Sequence, residues 1–275
     1  MIREAPRPDA LQRAFDGRVR RLEDQAVRDL MARLNGVRRD LAGEIAGTDW
    51  ERYALPRLRR SVDDAMAKFR TEYADVMERT TSEAWVVGEN ALPELVGGQV
   101  GKYVAFPALD PAVLTVAQEM TGDLITEITN TARQKIVGEI QRGLMGDRPL
   151  TDVMKRVGRN LDDPGVFQSV ADRAEVITRT ETNRVYNIAN HERDQQFGAM
   201  APDLGLEVVK RWIATPGPRT RAAHRAANGQ EVPLDKPFIV GGEPMMFPLD
   251  PGASARNTVN CRCTYRRVFR KRSES

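Results

Sequence analysis

Residues 211–238, RWIATPGPRTRAAHRAANGQEVPLDKPF, and residues 241–263, GGEPMMFPLDPGASARNTVNCRC, set the end of this chain apart from everything before it. Pro233, Pro237, Gly241-Gly242, Pro244, Pro248, Pro251 and Gly252 leave little room for long elements, because proline withholds a backbone donor and glycine favours turns. The only helix expected here is short, over residues 219–227, with Asn228-Gly229 as a left-handed stop. Upstream, residues 206–213 (LEVVKRWI) alternate and are β-branched, and residues 262–269 follow the cysteines with similar character. These two runs read as strands that pair with each other. The expected C-terminal module is therefore a loop-rich, two- or three-stranded α+β unit with a thin apolar core.

The same stretch holds both cysteines of the chain, Cys261 and Cys263, and one of its two histidines, His224. A C-x-C pair is too tight for an easy mutual disulfide, which wants Cα atoms about 5.5 Å apart with facing Cβ vectors. Three readings are open. Two thiolates and an imidazole suit tetrahedral zinc, with Asp250 or a water as a guess at the fourth ligand. Buried cysteines also serve as small hydrophobes. Finally, Cys261 is a candidate nucleophile with His224 as its base. The general base that catalytic zinc needs would have to come from Glu231 or Glu243, which no motif ties to the site. Arg219, Arg221, His224 and Arg225 fall at helical spacing and are expected to pin the module's own loop carbonyls, with phosphate or a partner carboxylate as the alternatives.

RTRAAHRAANGQEVP, followed by a Phe, a Gly-Gly, FPLDP and NCRC, resembles the signature of the Mu F-like minor head proteins of tailed bacteriophages. EVITRTETNRVYNIANHER, at residues 175–193, is similar to the helix that leads into that signature. The resemblance covers roughly residues 173–268, with several short motifs in order. It implies a non-enzymatic component of a virion, docked on a portal protein oligomer at the vertex, carried inside the head and assembled in the host cytoplasm. Roles in head morphogenesis and in DNA packaging or ejection follow from it, with major capsid or scaffold contacts besides. Where family members often carry acidic residues before RTR, this chain has Pro216, Gly217 and Pro218, so no carboxylate is expected there.

A chain of 275 residues with 41% apolar side chains can bury a core, while 29% charged residues suit long solvated helices. The net charge of +3 does not mark the whole chain as a nucleic-acid binder. No apolar run approaches a membrane span of about 20 residues, and the N-terminus has no signal-peptide core, so no membrane partner is expected. Two cysteines exclude a disulfide framework.

The front of the chain is periodic. After a stiff leader at Pro6 and Pro8, with Asp9 as N-cap, Leu11, Phe15, Val19, Leu22, Ala26, Leu30, Leu34, Val37, Leu41 and Ile45 line one face of a long helix. Trp50 opens a second run through Leu55, Leu58, Val62, Met66, Phe69, Tyr73, Val76 and Met77. Gly97-Gly98 and Pro107 bracket a linker, and a third helix starts with Pro111 after Asp110 and carries Leu114, Ala117, Met120, Leu124, Ile128, Ala132, Ile136 and Ile140. A short helix, Leu150–Val157, a turn at residues 162–165 and a helix over 169–197 complete this part. On the last, Arg179, Glu181 and Arg184 read as an exposed ion-paired face, with a buried polar hinge as the alternative, and His191 reads as a solvated surface residue. Position 195 is Gln, so no zincin motif exists.

The fold class is thus mainly α with a small α+β C-terminal module, the long helices forming a bundle or an elongated arm. The expected domains are residues 1–148 (helical, partner docking), 149–204 (connecting helices) and 205–275 (the module with a basic tail). In that tail Arg266, Arg267, Arg270, Lys271 and Arg272 are candidates for contact with double-stranded DNA phosphates. The alternative functions are a metal-dependent, nuclease-like enzyme built on His224, Cys261 and Cys263, and a DNA-binding accessory protein using the tail.

Overall fold

The computed structural model describes residues 8–100, 104–158 and 165–271. Four long helices dominate: α1 (Pro8–Ala46), α2 (Leu55–Val100), α3 (Pro111–Leu144) and α5 (Gly165–Met200), with the short α4 (Leu150–Val157) before the last. The module follows as β1 (Leu206–Ile213), α6 (Ala222–Ala226), β2 (Glu231–Pro233), β3 (Phe238–Val240), β4 (Glu243–Met245), α7 (Ala255–Thr258) and β5 (Thr264–Lys271). The mainly α architecture with a small antiparallel C-terminal module is as expected.

The chain forms two compact units, and they do not follow the blocks 1–148, 149–204 and 205–275. One comprises residues 1–23, 80–117 and 179–275; the other comprises 24–79 and 118–178. The physical reason is helix length: α1, α2, α3 and α5 each supply residues to both. Consecutive blocks cannot describe such a division.

The unit of residues 24–79 and 118–178 is all helical. Its core is the predicted stripe: Leu30, Leu34, Val37, Leu41 and Ile45 from α1, Leu58, Val62, Met66, Phe69, Tyr73 and Met77 from α2, and Ile128, Ala132, Ile136 and Ile140 from α3. Met120, read on that stripe, is instead 45% exposed, because Ala117, Thr121 and Ile125 face inward at that level. Trp50 closes α1 by donating its indole N–H to the Ile45 carbonyl at 3.2 Å. The Tyr73 hydroxyl donates to the Ala174 carbonyl at 2.9 Å, so a large ring is buried with its polar end satisfied.

In the other unit, α1 starts at Pro8 itself, which fits proline's preference for a first turn, so Asp9 lies in that turn and is not its cap. Pro6 lies outside the described residues. Gly97 and Gly98 do not open a linker: α2 runs on to Val100. Leu92 and Val96, both buried against Phe197, Val208 and Leu234, keep its last turns docked. Pro93 inside α2 leaves the Glu89 carbonyl without its usual amide donor. Arg193 on α5 supplies one, its Nε donating to that carbonyl at 3.0 Å while a second nitrogen reaches the Glu89 carboxylate at 2.7 Å. The same guanidinium bonds the Pro107 carbonyl, which holds the stretch before α3 in place. Asp110 then caps α3, its carboxylate accepting from the Ala112 amide at 2.9 Å.

The sheet has the order β2-β1-β5, all antiparallel, with Trp212 opposite Tyr265 and Arg211 opposite Arg266. β3 and β4 form a separate hairpin. Its two turn residues, Gly241 and Gly242, have φ of 61° and 85°, the mirror-image turn that suits the twist of paired strands. Being central, β1 is covered on both sides, and Val208, Val209 and Lys210 are consecutively buried. The Lys210 ammonium donates to the Met246 carbonyl at 2.8 Å and sits 5.3 Å from the centre of the Phe238 ring.

Burial holds the Lys210 pKa at about 8, below its ordinary 10.5, against the pull of Asp194, Asp235 and Asp250. Between those two values the unfolded chain carries the extra proton, so stability is expected to rise with pH from about 8 to 10.5. The cost of burying the charge is fully present below that window. In Lys210→Met this rise should be missing, as read from urea midpoints on either side of the window. Equal slopes for the two proteins would refute the assignment.

Candidate metal centre

Local chain geometry brings the three soft donors together. α6 places His224 inward, buried to 1% exposure, with its ring edge-on to Trp212 at 5.8 Å. After α7, Asn260 adopts a left-handed φ of 60°, which asparagine tolerates, and its amide donates to the Thr180 hydroxyl at 3.0 Å. The reversal sends residues 261–263 back toward α6. In an extended segment, positions i and i+2 face one way. Cys261 and Cys263 are therefore both buried, while Arg262 between them turns to Glu23. Both cysteines are free thiols.

The Nδ1 atom of His224 lies 3.4 Å from the Cys263 sulfur and 3.5 Å from the Cys261 sulfur. All three donor atoms fall within 4.8 Å of one another. Its other nitrogen, Nε2, is buried with no hydrogen-bond partner. The two thiols are driven apart in acidity: hydrogen bonding from Cys261 pulls the Cys263 thiol down, helped by His224, and the same bond together with burial pushes Cys261 up. The sequence left Cys261 and His224 unplaced relative to each other; here they lie side by side.

The donors form one wall of a cavity of about 400 Å³. Arg179, Arg219, Arg221 and Arg262 line the rest, with residues 215–218 as its lip. Arg221 and Arg225 pin loop carbonyls as expected, those of Val259 at 2.6 Å and of Thr220, whereas Arg219 is exposed. Arg179 and Arg262 share the buried carboxylate of Glu23, at 3.0 and 3.1 Å, and Asn183 donates to it at 2.8 Å. Glu23 was not anticipated, since on the sequence it is one acid among many on a charged helix face.

Several anticipated groups are elsewhere. Asp250 is no fourth ligand: its carboxylate caps its own loop, accepting from the amides of Met246 at 2.7 Å and Gly252 at 2.8 Å. Glu231 is bound by Arg211 and Arg270, and Glu243 by Ser254, so neither stands at the centre as a base. His191 is half-buried and not a free surface residue: it packs on Phe247 at 5.0 Å, and burial lowers its pKa. Glu181 is buried and the half-buried Arg184 pairs with it, Arg184 also donating to the Leu249 carbonyl at 3.2 Å, so the hinge alternative describes them and the exposed face does not.

The basic tail is likewise changed. Residues up to Lys271 belong to β5, and alternation turns Arg267 inward onto Asp194 at 2.5 Å. Arg266 is paired with Asp16 at 2.7 Å and Arg270 with Glu231. Arg267, buried against a carboxylate, has no face for a phosphate. Arg272 and the side chain of Lys271 lie outside the described residues.

Comparison with known proteins bears on this module. The profile described as Phage Mu protein F like protein matches residues 122–266, more than half of the chain. The chain belongs to this Phage Mu F-like family. It is a family of phage head proteins, and its match takes in α5, the donors and the first three residues of β5. A stretch of 88 residues is also 33% identical to the NAD(+)--arginine ADP-ribosyltransferase EFV of Enterococcus faecalis; it covers 32% of this chain but only 17% of that protein. No solved structure matches the Mu F-like chain. No helix among its described residues is long and apolar enough to cross a membrane.

Proposed function

We propose that this Mu F-like chain is a non-enzymatic minor head protein of a tailed phage or phage-like particle. In this reading it docks on the portal vertex, is carried inside the head, and acts in head morphogenesis and in the packaging or ejection of DNA. The observation that supports it is the family match over residues 122–266. Long helices are physically suited to such docking, since they offer anchors spaced by three and four residues to a partner's groove.

The ADP-ribosyltransferase activity named for the enterococcal relative belongs to a protein of which this chain matches 17%, and it is not transferred. For a metal-dependent nuclease, the carboxylates Glu231 and Glu243 are engaged elsewhere, which weighs against hydrolysis.

The test is co-expression with the portal protein of the same particle, followed by density-gradient sedimentation. The chain is expected in the portal-ring fractions. A portal peak without it, with this chain sedimenting alone, would remove the docking role while leaving family membership untouched.

A further inference from the structure

We infer that His224, Cys261 and Cys263 bind one zinc ion, whose fourth position opens on the arginine-lined cavity and accepts a small oxygen anion. This rests on the donor geometry and is independent of the portal reading.

Tetrahedral zinc with sulfur ligands at about 2.3 Å and a nitrogen ligand at about 2.0–2.1 Å sets the N-to-S edges of the tetrahedron at roughly 3.6 Å. The edges found are 3.4 and 3.5 Å. Hydrogen bonding does not account for the arrangement equally well. A neutral imidazole nitrogen carries either one proton or one lone pair, so Nδ1 can serve one sulfur properly, yet its distances to the two differ by only 0.1 Å. Either tautomer also leaves Nε2 buried and unpartnered, so hydrogen bonds do not repay the burial of this ring. A divalent ion uses all three donors at once, and two thiolates cancel its charge in a buried site.

The fourth position follows from the surroundings. No fourth His, Cys, Asp or Glu among the described residues joins the group. The donors instead front the cavity that Arg179, Arg219, Arg221 and Arg262 line. Arg221 donates to the neutral Val259 carbonyl, and Arg219 forms no ion pair among the described residues, so the cavity keeps positive charge beside the donors. Metal and guanidinium groups facing one space favour an oxygen anion over water alone.

The full chain is purified under reducing conditions without metal-affinity resin, and its zinc is counted by mass spectrometry. About one zinc per chain is expected, falling at least about tenfold in Cys261→Ser, Cys263→Ser and His224→Ala. Because such variants can misfold, the wild-type protein is also probed directly. Its two thiols should resist a thiol reagent until a chelator is added, and then both react. Cobalt is then substituted, and inorganic phosphate and acetate are titrated in separate arms. Either anion should shift the cobalt d–d bands, and Arg219→Ala should weaken the response several-fold. Absence of stoichiometric metal after zinc reconstitution, with thiols equally reactive with and without chelator, would overturn the site. A cobalt spectrum that neither anion moves would overturn the open position.

Discussion

Arg267→Ala is expected to destabilise the unit formed by residues 1–23, 80–117 and 179–275 by about 3–5 kcal/mol, the cost of stranding a buried charge. Arg267 and Asp194 are 1% and 0% exposed at the side chain. The guanidinium donates to Asp194 from β5, and also to the Asn190 carbonyl and side chain on α5 and to Gln12 on α1. Asp194 accepts a second short bond, 2.5 Å, from the Tyr265 hydroxyl. Burial works against the Arg267 charge, but the adjacent carboxylate more than offsets it, and the guanidinium stays above its ordinary pKa. Removing Arg267 therefore strips a buried carboxylate of the cation hydrogen-bonded to it and leaves the neutral Tyr265 hydroxyl as its donor. Replacing both partners, as in Arg267→Met with Asp194→Leu, should cost far less than the single change, since the two desolvation penalties vanish together. Urea denaturation of the four proteins of this cycle decides it. A single Arg267→Ala variant with an unchanged midpoint would show that the pair contributes nothing.

Gly88→Ala is expected to lower stability by about 1–3 kcal/mol, although the same change in a helix interior ordinarily gains up to about 1 kcal/mol. A methyl at position 88 on α2 would stand 2.6 Å from the Tyr186 carbonyl oxygen and 2.8 Å from the Ala189 side chain on α5. The obstacle is partly backbone, so no rotamer change relieves it. Gly36 and Gly138, helical glycines with open space around the missing side chain, are the controls and should show the usual gain. A neutral or stabilising Gly88→Ala in thermal unfolding would mean that α2 and α5 do not approach this closely there.

How much of this was legible in advance depends on what each residue's fate is decided by. Two local signals hold: Asp110 before Pro111 opens α3, and the β-branched alternation after Gly205 gives β1 its observed bounds. The Gly241-Gly242 pair between short apolar runs is also a local hairpin signal, lost to the eye among the prolines and glycines around it. Fates decided by distant partners were not legible. Gly97 and Gly98 look like a break until Val96 is seen packed against Val208, and Arg267 looks like one more tail cation until Asp194 is found opposite it. His191 looks solvated for the same reason. The donor trio was visible as residue types, but its assembly depends on the left-handed turn at Asn260 and the placement of α6. Glu23, which pairs with two arginines of the cavity wall, carried no local mark at all.

The hydrogen bond from Arg267 to Gln12 spans 255 positions of sequence. During synthesis, the opening turns of α1 must leave the ribosome long before the strand that satisfies them exists. Their buried polar groups, Gln12 and Asp16, wait in water until β5 has been made. The unit of residues 24–79 and 118–178 has no such dependence and can complete while the nascent chain is still lengthening. Folding of these two units is therefore ordered in time, with the one that carries the thiols finishing after the other.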